Sequence, residues 1–239
     1  MTTTLHPSLG GARACIFDAG GTLVHPDWPR LSRIAEEAGG RAFASAEMGR
    51  AFGEMLRAVG VEMQREGFVL PEDMKRPHWV FRRMYGALGL DDATCSNVIE
   101  RVGAAHAERH VWCGLDPEAP RVVEELRRQG LKVAVISNTE DGRLIDSLAA
   151  AGISESFDLL IDSHLVGHRK PDAAIFRLAL ERLGVEAGEA AYVGDSYAHD
   201  ALAARSAGLR GILLDPLDLH PESVCPRIRS LSELINSTV

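Results

Sequence analysis

The sequence predicts an α/β fold, in which a doubly wound parallel sheet forms one domain and a run of helices forms a second. Two observations support this prediction. From residue 116 onward, short apolar runs alternate with helical patterns, whereas residues 24–115 show helical patterns without a convincing strand. A third observation is that reactive side chains follow several of the predicted strands, each at an equivalent place.

The alternating part of the chain supplies the sheet. The apolar run RACIFD predicts the first strand, and LKVAVIS, FDLLID, AAYVG and GILLD predict later strands. The helices predicted between these later strands, and before the first of them, are PEAPRVVEELRRQG, DGRLIDSLAAAG, DAAIFRLALERLG and HDALAARSAG. We expect Asp172 to cap the third of these helices and Gly184 to end it. Strands that alternate with helices are joined by crossovers, so we expect parallel pairing.

Residues 24–115 differ from the rest because helical periodicity continues through them. The runs SRIAEEAGGRAF, SAEMGRAFGEMLRAVGVEMQ, RPHWVFRRMYGALG and ATCSNVIERVGAAHAERH all predict helices. We therefore predict a sheet-containing domain from residues 1–23 and 116–239, with residues 24–115 as a helical domain. A bundle that packs on itself and a cap inserted after the first strand would share this pattern.

Composition and charge exclude several classes of partner. The net charge is −8 with a pI near 5.6, and no basic stripe is present, so nucleic-acid binding is not expected. No apolar run approaches the roughly 18 residues of a membrane span, and residues 1–13 read as a short loose tail. Four scattered cysteines without a CxxC pair favour a reduced, cytoplasmic protein: Cys15, Cys95, Cys113 and Cys225. Monomer and homodimer both stay open.

Four polar side chains stand at or just after the ends of predicted strands or in the loops beyond them: Asp18, Ser137, Lys170 and Asp195. Taken singly, each has an ordinary explanation as a turn residue, a helix cap or a solvated lysine. The carboxyl ends of parallel strands share one edge, where ligands bind in open α/β sheets. We therefore predict that the four side chains converge on one site.

The chemistry of this set suits phosphoryl transfer. A carboxylate such as Asp18 can attack phosphorus, and water can later hydrolyse the aspartyl-phosphate. Asp18 and Asp195 together would make an oxygen site for Mg²⁺. Lys170 and Ser137 would hold phosphoryl oxygens, and Asp200 would orient a metal-bound water.

The segments FDAGGTL, VISN, RKP and VGDSYAHD, in this order and spacing, resemble the four motifs of the haloacid dehalogenase (HAD) superfamily. The resemblance covers residues 13–215, and the helical insert resembles the cap of subfamily I. It implies a Rossmann-like core, a cap that closes over the site, Mg²⁺ dependence and Asp18 as nucleophile. It also implies a catalytic set of Asp18, Ser137 and Lys170, phosphate contacts from Ser137, Asn138, Lys170 and the loop-supporting Thr22, and metal contacts from Asp18, Asp195 and the Gly20 carbonyl.

Gly20 departs from the phosphatase motif of the superfamily. Those phosphatases have a second aspartate there, which protonates the leaving oxygen and then activates water. A positioned general acid typically contributes about 10²- to 10⁴-fold, so its absence should matter most for poor leaving groups. Residues near the motif loops that could replace it, although each also reads as an ordinary surface residue, are His25, Asp27, Tyr197 and His199.

Three readings of Gly20 stay open beside a substituted acid. The substrate could be an acyl or aryl phosphate with a good leaving group. The reaction could be another hydrolysis, since phosphonatases of the superfamily have alanine here and a cap lysine, for which Lys75 is the candidate. The protein could also be a silent Mg²⁺- and anion-binding regulatory module, although a module has no need of a nucleophile.

We therefore predict a magnesium-dependent phosphatase that acts on a small phosphorylated metabolite through Asp18. The helical domain would choose the substrate. Candidates for that choice, which could equally serve packing, are Trp79, Arg82, Arg83 and Tyr85.

Overall fold

The computed structural model describes residues 3–69 and 71–237. The chain divides into two compact units, one made of residues 1–25 and 114–239 and the other of residues 26–113. We call them the core unit and the helical unit. The predicted boundaries, after residues 23 and 115, each lie two residues from these crossings. The role of the helical unit as a cap stays a prediction.

The strands are β1 (Thr3–Leu5), β2 (Ala14–Phe17), β3 (Val24–Pro26), β4 (Trp112–Leu115), β5 (Lys132–Ser137), β6 (Leu159–Asp162), β7 (Ala190–Gly194), β8 (Arg210–Leu214), β9 (Arg227–Ile228) and β10 (Ile235–Ser237). The helices are α1 (Trp28–Glu37), α2 (Ser45–Met63), α3 (Trp79–Ala87), α4 (Asp92–Glu108), α5 (Ala119–Arg128), α6 (Leu144–Ala150), α7 (Ser163–Val166), α8 (Ala173–Leu183) and α9 (Leu202–Ser206). A π-helical turn, Tyr197–Ala201, precedes α9.

A six-stranded parallel sheet forms the centre of the core unit. Its strand order is β6-β5-β2-β7-β8-β9, and every pair in it is parallel. This confirms the predicted α/β class. The chain runs outward from β2 first to β5 and β6, and then on the other side to β7, β8 and β9. The carboxyl end of β2 therefore lies where strand order reverses, which is the binding edge of such sheets.

Apolar packing fixes this sheet. Every residue of β2 and β7 is buried, and Ile16 and Tyr192 pack in one cluster with Ile175 and Phe176 of α8. The ends of α8 agree with the sequence. The Asp172 side chain accepts a hydrogen bond from the Ala174 amide, and Gly184 ends the helix in the left-handed conformation.

The helical unit has its own core. Leu31 of α1, Met48 of α2, Phe81 and Tyr85 of α3 and Val98 of α4 are buried together. The Tyr85 hydroxyl donates to the Leu31 carbonyl at 2.8 Å. This packing confirms the predicted helices, and it removes Tyr85 from the candidates for substrate choice because its side chain is fully buried.

Two predictions about strands were wrong. The predicted strand-free segment 24–115 begins and ends in strands, since β3 and β4 pair as a two-stranded sheet. The tail was also expected to be loose, yet β1 pairs antiparallel with β10, with Leu5 opposite Ile235. Strands this short have no readable alternation, and their partners lie far away in sequence, so local pattern does not reveal them.

Within the described ranges, no helix is long and apolar enough to cross a membrane. All four cysteines are free thiols.

Candidate active site

The sheet edge brings together four of the predicted residues. Asp18 directly follows β2, Asp195 directly follows β7, and Asp200 lies in the π-helical turn beyond it. Lys170 comes from the loop between α7 and α8. One oxygen from each of the three carboxylates lies within 4.8 Å of the others.

Lys170 is the centre of the hydrogen-bond network. Its Nζ donates to Asp18 Oδ1 at 2.6 Å, to Asp200 Oδ1 at 2.7 Å and to the Tyr192 hydroxyl at 2.8 Å. An ammonium has three protons, so these contacts account for all of them. The network is buried, with Lys170 only 3% exposed. In this arrangement Lys170 neutralises carboxylates, and its predicted direct contact with a phosphoryl oxygen stays a prediction.

The cluster has more negative than positive charge, because three carboxylates surround one ammonium. Burial raises the pKa of Asp18 to about 6, even though Lys170 lowers it. Burial, reinforced by repulsion from Asp18 and Asp200, raises the pKa of Asp195 well above its usual value. These shifts indicate a site that lacks positive charge. Clustered carboxylate oxygens are the donors that Mg²⁺ prefers, so the residues fit the predicted metal.

The glycine turn after β2 allows Asp195 to approach the backbone. Gly21 has φ of +87°, and a Cβ built on it would lie 2.1 Å from Asp195 Oδ2. The turn is tight, since the Leu23 and Val24 amides both donate to the Ala19 carbonyl at 2.9 Å and the Gly21 amide donates to the Val24 carbonyl at 2.8 Å. Position 21 therefore requires glycine for space as well as for conformation.

Asn138 has a different place from the one predicted. Its Nδ2 donates to the Lys170 carbonyl and its Oδ1 accepts from the Lys170 amide, both at 2.9 Å. The side chain thus clamps the backbone that presents Lys170, and the prediction that it is a phosphate ligand is not supported by these contacts.

Ser137 and Thr22 also bear on the predicted phosphate contacts. Ser137 ends β5 and is buried, with its backbone beside Asp162 of β6. Thr22 is fully buried, and its hydroxyl has no hydrogen-bond partner among the described residues. A hydroxyl without solvent exposure is not placed to bind phosphate, so the structure offers no such contact at Thr22.

Two of the candidate substitutes for the missing acid have other partners. The Asp27 side chain caps α1 by accepting from the Arg30 amide, and it forms an ion pair with Arg109 at 2.6 Å. The Tyr197 hydroxyl accepts from the Val224 amide at 3.4 Å. These contacts give both residues structural roles.

The two histidines among those candidates differ in environment. Desolvation lowers the pKa of His199 to about 4, and its Nδ1 lies 3.2 Å from Ser196 Oγ. A neutral His199 has no extra proton to deliver near pH 7. His25 is partly exposed, and its Nε2 lies 3.4 Å from Asp116 Oδ2. Of these four candidates, His25 alone combines exposure with a carboxylate partner of the kind that orients an acid–base histidine.

Candidates in the helical unit show ordinary surface chemistry. Lys75 is half-exposed and pairs with Glu72, whereas a Schiff-base lysine is typically desolvated. Arg83 forms an ion pair with Asp73 at 2.7 Å. Trp79 and Arg82 line a groove of about 460 Å³ within this unit.

Sequence reasoning missed Tyr192. This residue lies inside β7, is fully exposure-free and reaches Lys170 with its hydroxyl. The available signal was a tyrosine inside the otherwise small and aliphatic strand AAYVG, because a buried phenol normally needs a hydrogen-bond partner.

Comparison with known proteins identifies relatives of this arrangement. A sequence model of haloacid dehalogenase-like hydrolases matches residues 12–208. The haloacid dehalogenase-like hydrolase domain-containing protein 3 of Bos taurus is 30% identical over 236 residues, which cover 93% of this chain and 92% of that protein. A phosphoserine phosphatase of Thermus thermophilus is 41% identical over 108 residues, 45% of this chain and 43% of that enzyme. The chain therefore matches less than half the length of that phosphatase.

Solved structures give the same fold. The HAD-hydrolase YfnB of Bacillus subtilis, described as bound to magnesium, superimposes with a TM-score of 0.68 at 19% identity, over 93% of this chain and 96% of that one. At this identity the likeness establishes the fold alone.

Replacement of Gly21 tests the close approach of Asp195. In Gly21→Ala the methyl group would displace the Asp195 carboxylate, and we expect a loss of about 2–4 kcal/mol in the free energy of unfolding from overpacking and backbone strain together. Urea denaturation measures it. Gly130→Ala is the matched control, since Gly130 has φ of +85° and no atom within 4 Å of the added Cβ. Equal losses in the two variants would contradict the close approach.

Replacement of Asp195 tests the charge excess. Because its pKa is raised in the folded state, folded Asp195 holds its proton more tightly than the unfolded chain does, and stability is lost as pH rises above the usual aspartate range. Asp195→Asn removes this penalty. In metal-free buffer we expect the variant to unfold at higher urea than wild type at about pH 7.5, with the gain vanishing near pH 4.

Added Mg²⁺ provides the control for that experiment. It should stabilise the wild-type protein at neutral pH and the Asp195→Asn variant less, because the variant has one carboxylate fewer to bind the cation. A variant that is less stable than wild type at neutral pH without metal would show that the excess charge is absent.

Proposed function

Since the chain belongs to the haloacid dehalogenase-like hydrolase family and is a hydrolase, we propose that it is a magnesium-dependent phosphatase acting on a small phosphorylated metabolite. The observation that supports this most strongly is the buried contact between Lys170 and Asp18 beside Asp195, at the edge where strand order reverses. The phosphatase relative points to the same substrate class for this chain.

Asp18 is the proposed nucleophile. Lys170 binds its Oδ1, so we assign the attack on phosphorus to Oδ2. The Oδ2–P bond forms as the bond from phosphorus to the leaving oxygen breaks, and the leaving group departs with its electron pair. Water then attacks phosphorus, the bond to Asp18 breaks, and inorganic phosphate leaves with the carboxylate restored.

The proposed metal ligands are Asp18, Asp195 and the Gly20 carbonyl. Bound Mg²⁺ would supply the positive charge that the carboxylates and the substrate phosphate together require. Asp200 supports the site at one remove, since its two oxygens accept from Lys170 Nζ at 2.7 Å and from the Ser196 amide at 2.9 Å.

The absence of a side-chain carboxylate at Gly20 limits the substrate. Lys170 and the metal stabilise charge on the carboxylate and the phosphoryl group, but they do not protonate the leaving oxygen. A substrate whose leaving group needs little protonation, such as an aryl or acyl phosphate, is therefore the best match to these residues. The helical unit as the part that chooses the substrate, and a cytoplasmic location, stay predictions.

Hydrolysis of p-nitrophenyl phosphate tests the proposed function. The nitrophenolate leaves with little protonation, so we expect Mg²⁺-dependent turnover that chelation abolishes. Asp18→Asn should lower turnover by at least about 10³-fold, because the nucleophile is lost. Release of nitrophenolate gives the measurement.

Asp146→Asn serves as the control, since Asp146 is an exposed carboxylate paired with Arg143 in the same unit. It should leave turnover unchanged. A wild-type protein that binds Mg²⁺ and phosphate without turnover at any pH would instead be a silent binding module, and hydrolysis of a phosphonate but not of p-nitrophenyl phosphate would indicate the other reaction class.

Restoring the missing carboxylate tests the role of Gly20. We expect Gly20→Asp to raise kcat/KM for alkyl phosphates by about 10-fold or more while changing p-nitrophenyl phosphate hydrolysis little, since only the poor leaving group needs the acid. Steady-state kinetics on both substrates give the comparison.

The informative partner variant is His25→Asn, made in both backgrounds. A selective loss on alkyl phosphates in the Gly20 protein, rescued by Gly20→Asp, would identify His25 as the substitute acid. No gain from Gly20→Asp in either background would contradict the importance of the missing carboxylate.

A further inference from the structure

Tyr192 has no part in the chemistry described so far, yet its hydroxyl takes the third proton of the Lys170 ammonium. We propose that Tyr192 is a positioning residue, which fixes Lys170 against Asp18 and Asp200. The proposal rests on the proposed function, since it assigns a further residue to the same site.

The sheet determines where the Tyr192 hydroxyl lies. Tyr192 is in the middle of β7 and pairs with Ile16 of β2, two residues before Asp18. Its ring packs edge-on against Phe176, with ring centroids 5.2 Å apart and planes at 77°. A fully buried ring held between a strand and a helix has little freedom, so the hydroxyl is presented to Lys170 in a fixed position.

The hydroxyl is connected on both sides. Its oxygen accepts from Lys170 Nζ at 2.8 Å, while its own proton has two acceptors within reach, the Ile136 carbonyl and Asp200 Oδ1, each at 3.2 Å. Tyr192 therefore links the ammonium to β5, which is the strand on the other side of β2.

Packing alone does not explain the hydroxyl. A phenylalanine would fill the same space, and a buried hydroxyl lowers stability unless its hydrogen bonds are made. Without the hydroxyl, one proton of a buried ammonium would lose its acceptor. The ammonium would then be free to turn away from Asp18, which shares it with Asp200. The effect should therefore fall on the reaction more than on substrate binding.

The test is Tyr192→Phe, assayed on p-nitrophenyl phosphate. We expect kcat to fall by about 10- to 100-fold, the usual effect of losing a hydrogen bond to a charged group, with KM nearly unchanged. Tyr85→Phe is the matched control, because it also removes a buried tyrosine hydroxyl that donates to a backbone carbonyl, but one in the helical unit. It should lower stability and leave kcat unaltered.

A second measurement observes Lys170 directly. The sequence has three lysines, Lys75, Lys132 and Lys170, so ¹⁵N-lysine labelling yields a simple spectrum of ammonium groups. The signal protected from exchange with water should persist in Lys75→Arg and Lys132→Arg, which assigns it to Lys170. In Tyr192→Phe that signal should shift and its protons should exchange faster.

The outcomes separate this proposal from the proposed function. A folded Tyr192→Phe protein with wild-type kcat and an unchanged Lys170 signal would overturn the positioning role, as would equal losses of kcat in Tyr192→Phe and Tyr85→Phe. If the wild-type protein does not hydrolyse the phosphate ester, the proposed phosphatase function fails, and the Lys170 signal still decides whether Tyr192 holds the ammonium.

Discussion

The buried ammonium of Lys170 is the interaction on which the rest of the site depends. A charge removed from water is strongly unfavourable unless it is paired and its hydrogen bonds are satisfied. Here each proton has an acceptor, two of them carboxylates and the third the Tyr192 hydroxyl. Asn138 holds the backbone that presents the ammonium. Lys170 therefore joins the ends of β2 and β7 and the residue after β5, and none of these segments can shift without breaking a buried contact.

A steric constraint supports this electrostatic one. Asp195 approaches the turn after β2 so closely that only glycine fits at position 21. The small-residue turn AGG, which looks like a simple bend in the sequence, thus allows two repelling carboxylates to approach one another. The raised pKa of both Asp18 and Asp195 is the electrostatic consequence of that approach and of burial. A divalent cation between them relieves the repulsion, so the turn and the metal preference have the same physical origin.

The sequence predicted those features that follow from strand order. Asp18 and Asp195 were predictable because residues that follow parallel strands meet at one edge, and Asp172 and Gly184 because helix ends have local signals. The contacts of Asn138 and Tyr192 were not predictable in this way. Asn138 meets Lys170 across 32 positions in the chain, and Tyr192 has the apolar pattern of an ordinary core aromatic. Such contacts depend on tertiary distances, to which periodicity is blind.

The substitution at Gly20 separates two functions that phosphate hydrolysis usually combines. Charge stabilisation needs fixed positive charge beside the nucleophile, and the Lys170 network provides it within the core unit. Proton transfer to the leaving oxygen needs a titratable group on the other side of phosphorus, and position 20 has no side chain to offer. The first function is independent of the leaving group, while the second matters more as the leaving group becomes more basic. A site that keeps the first and loses the second therefore discriminates among phosphates by the acidity of the leaving group, before any contact with the rest of the substrate.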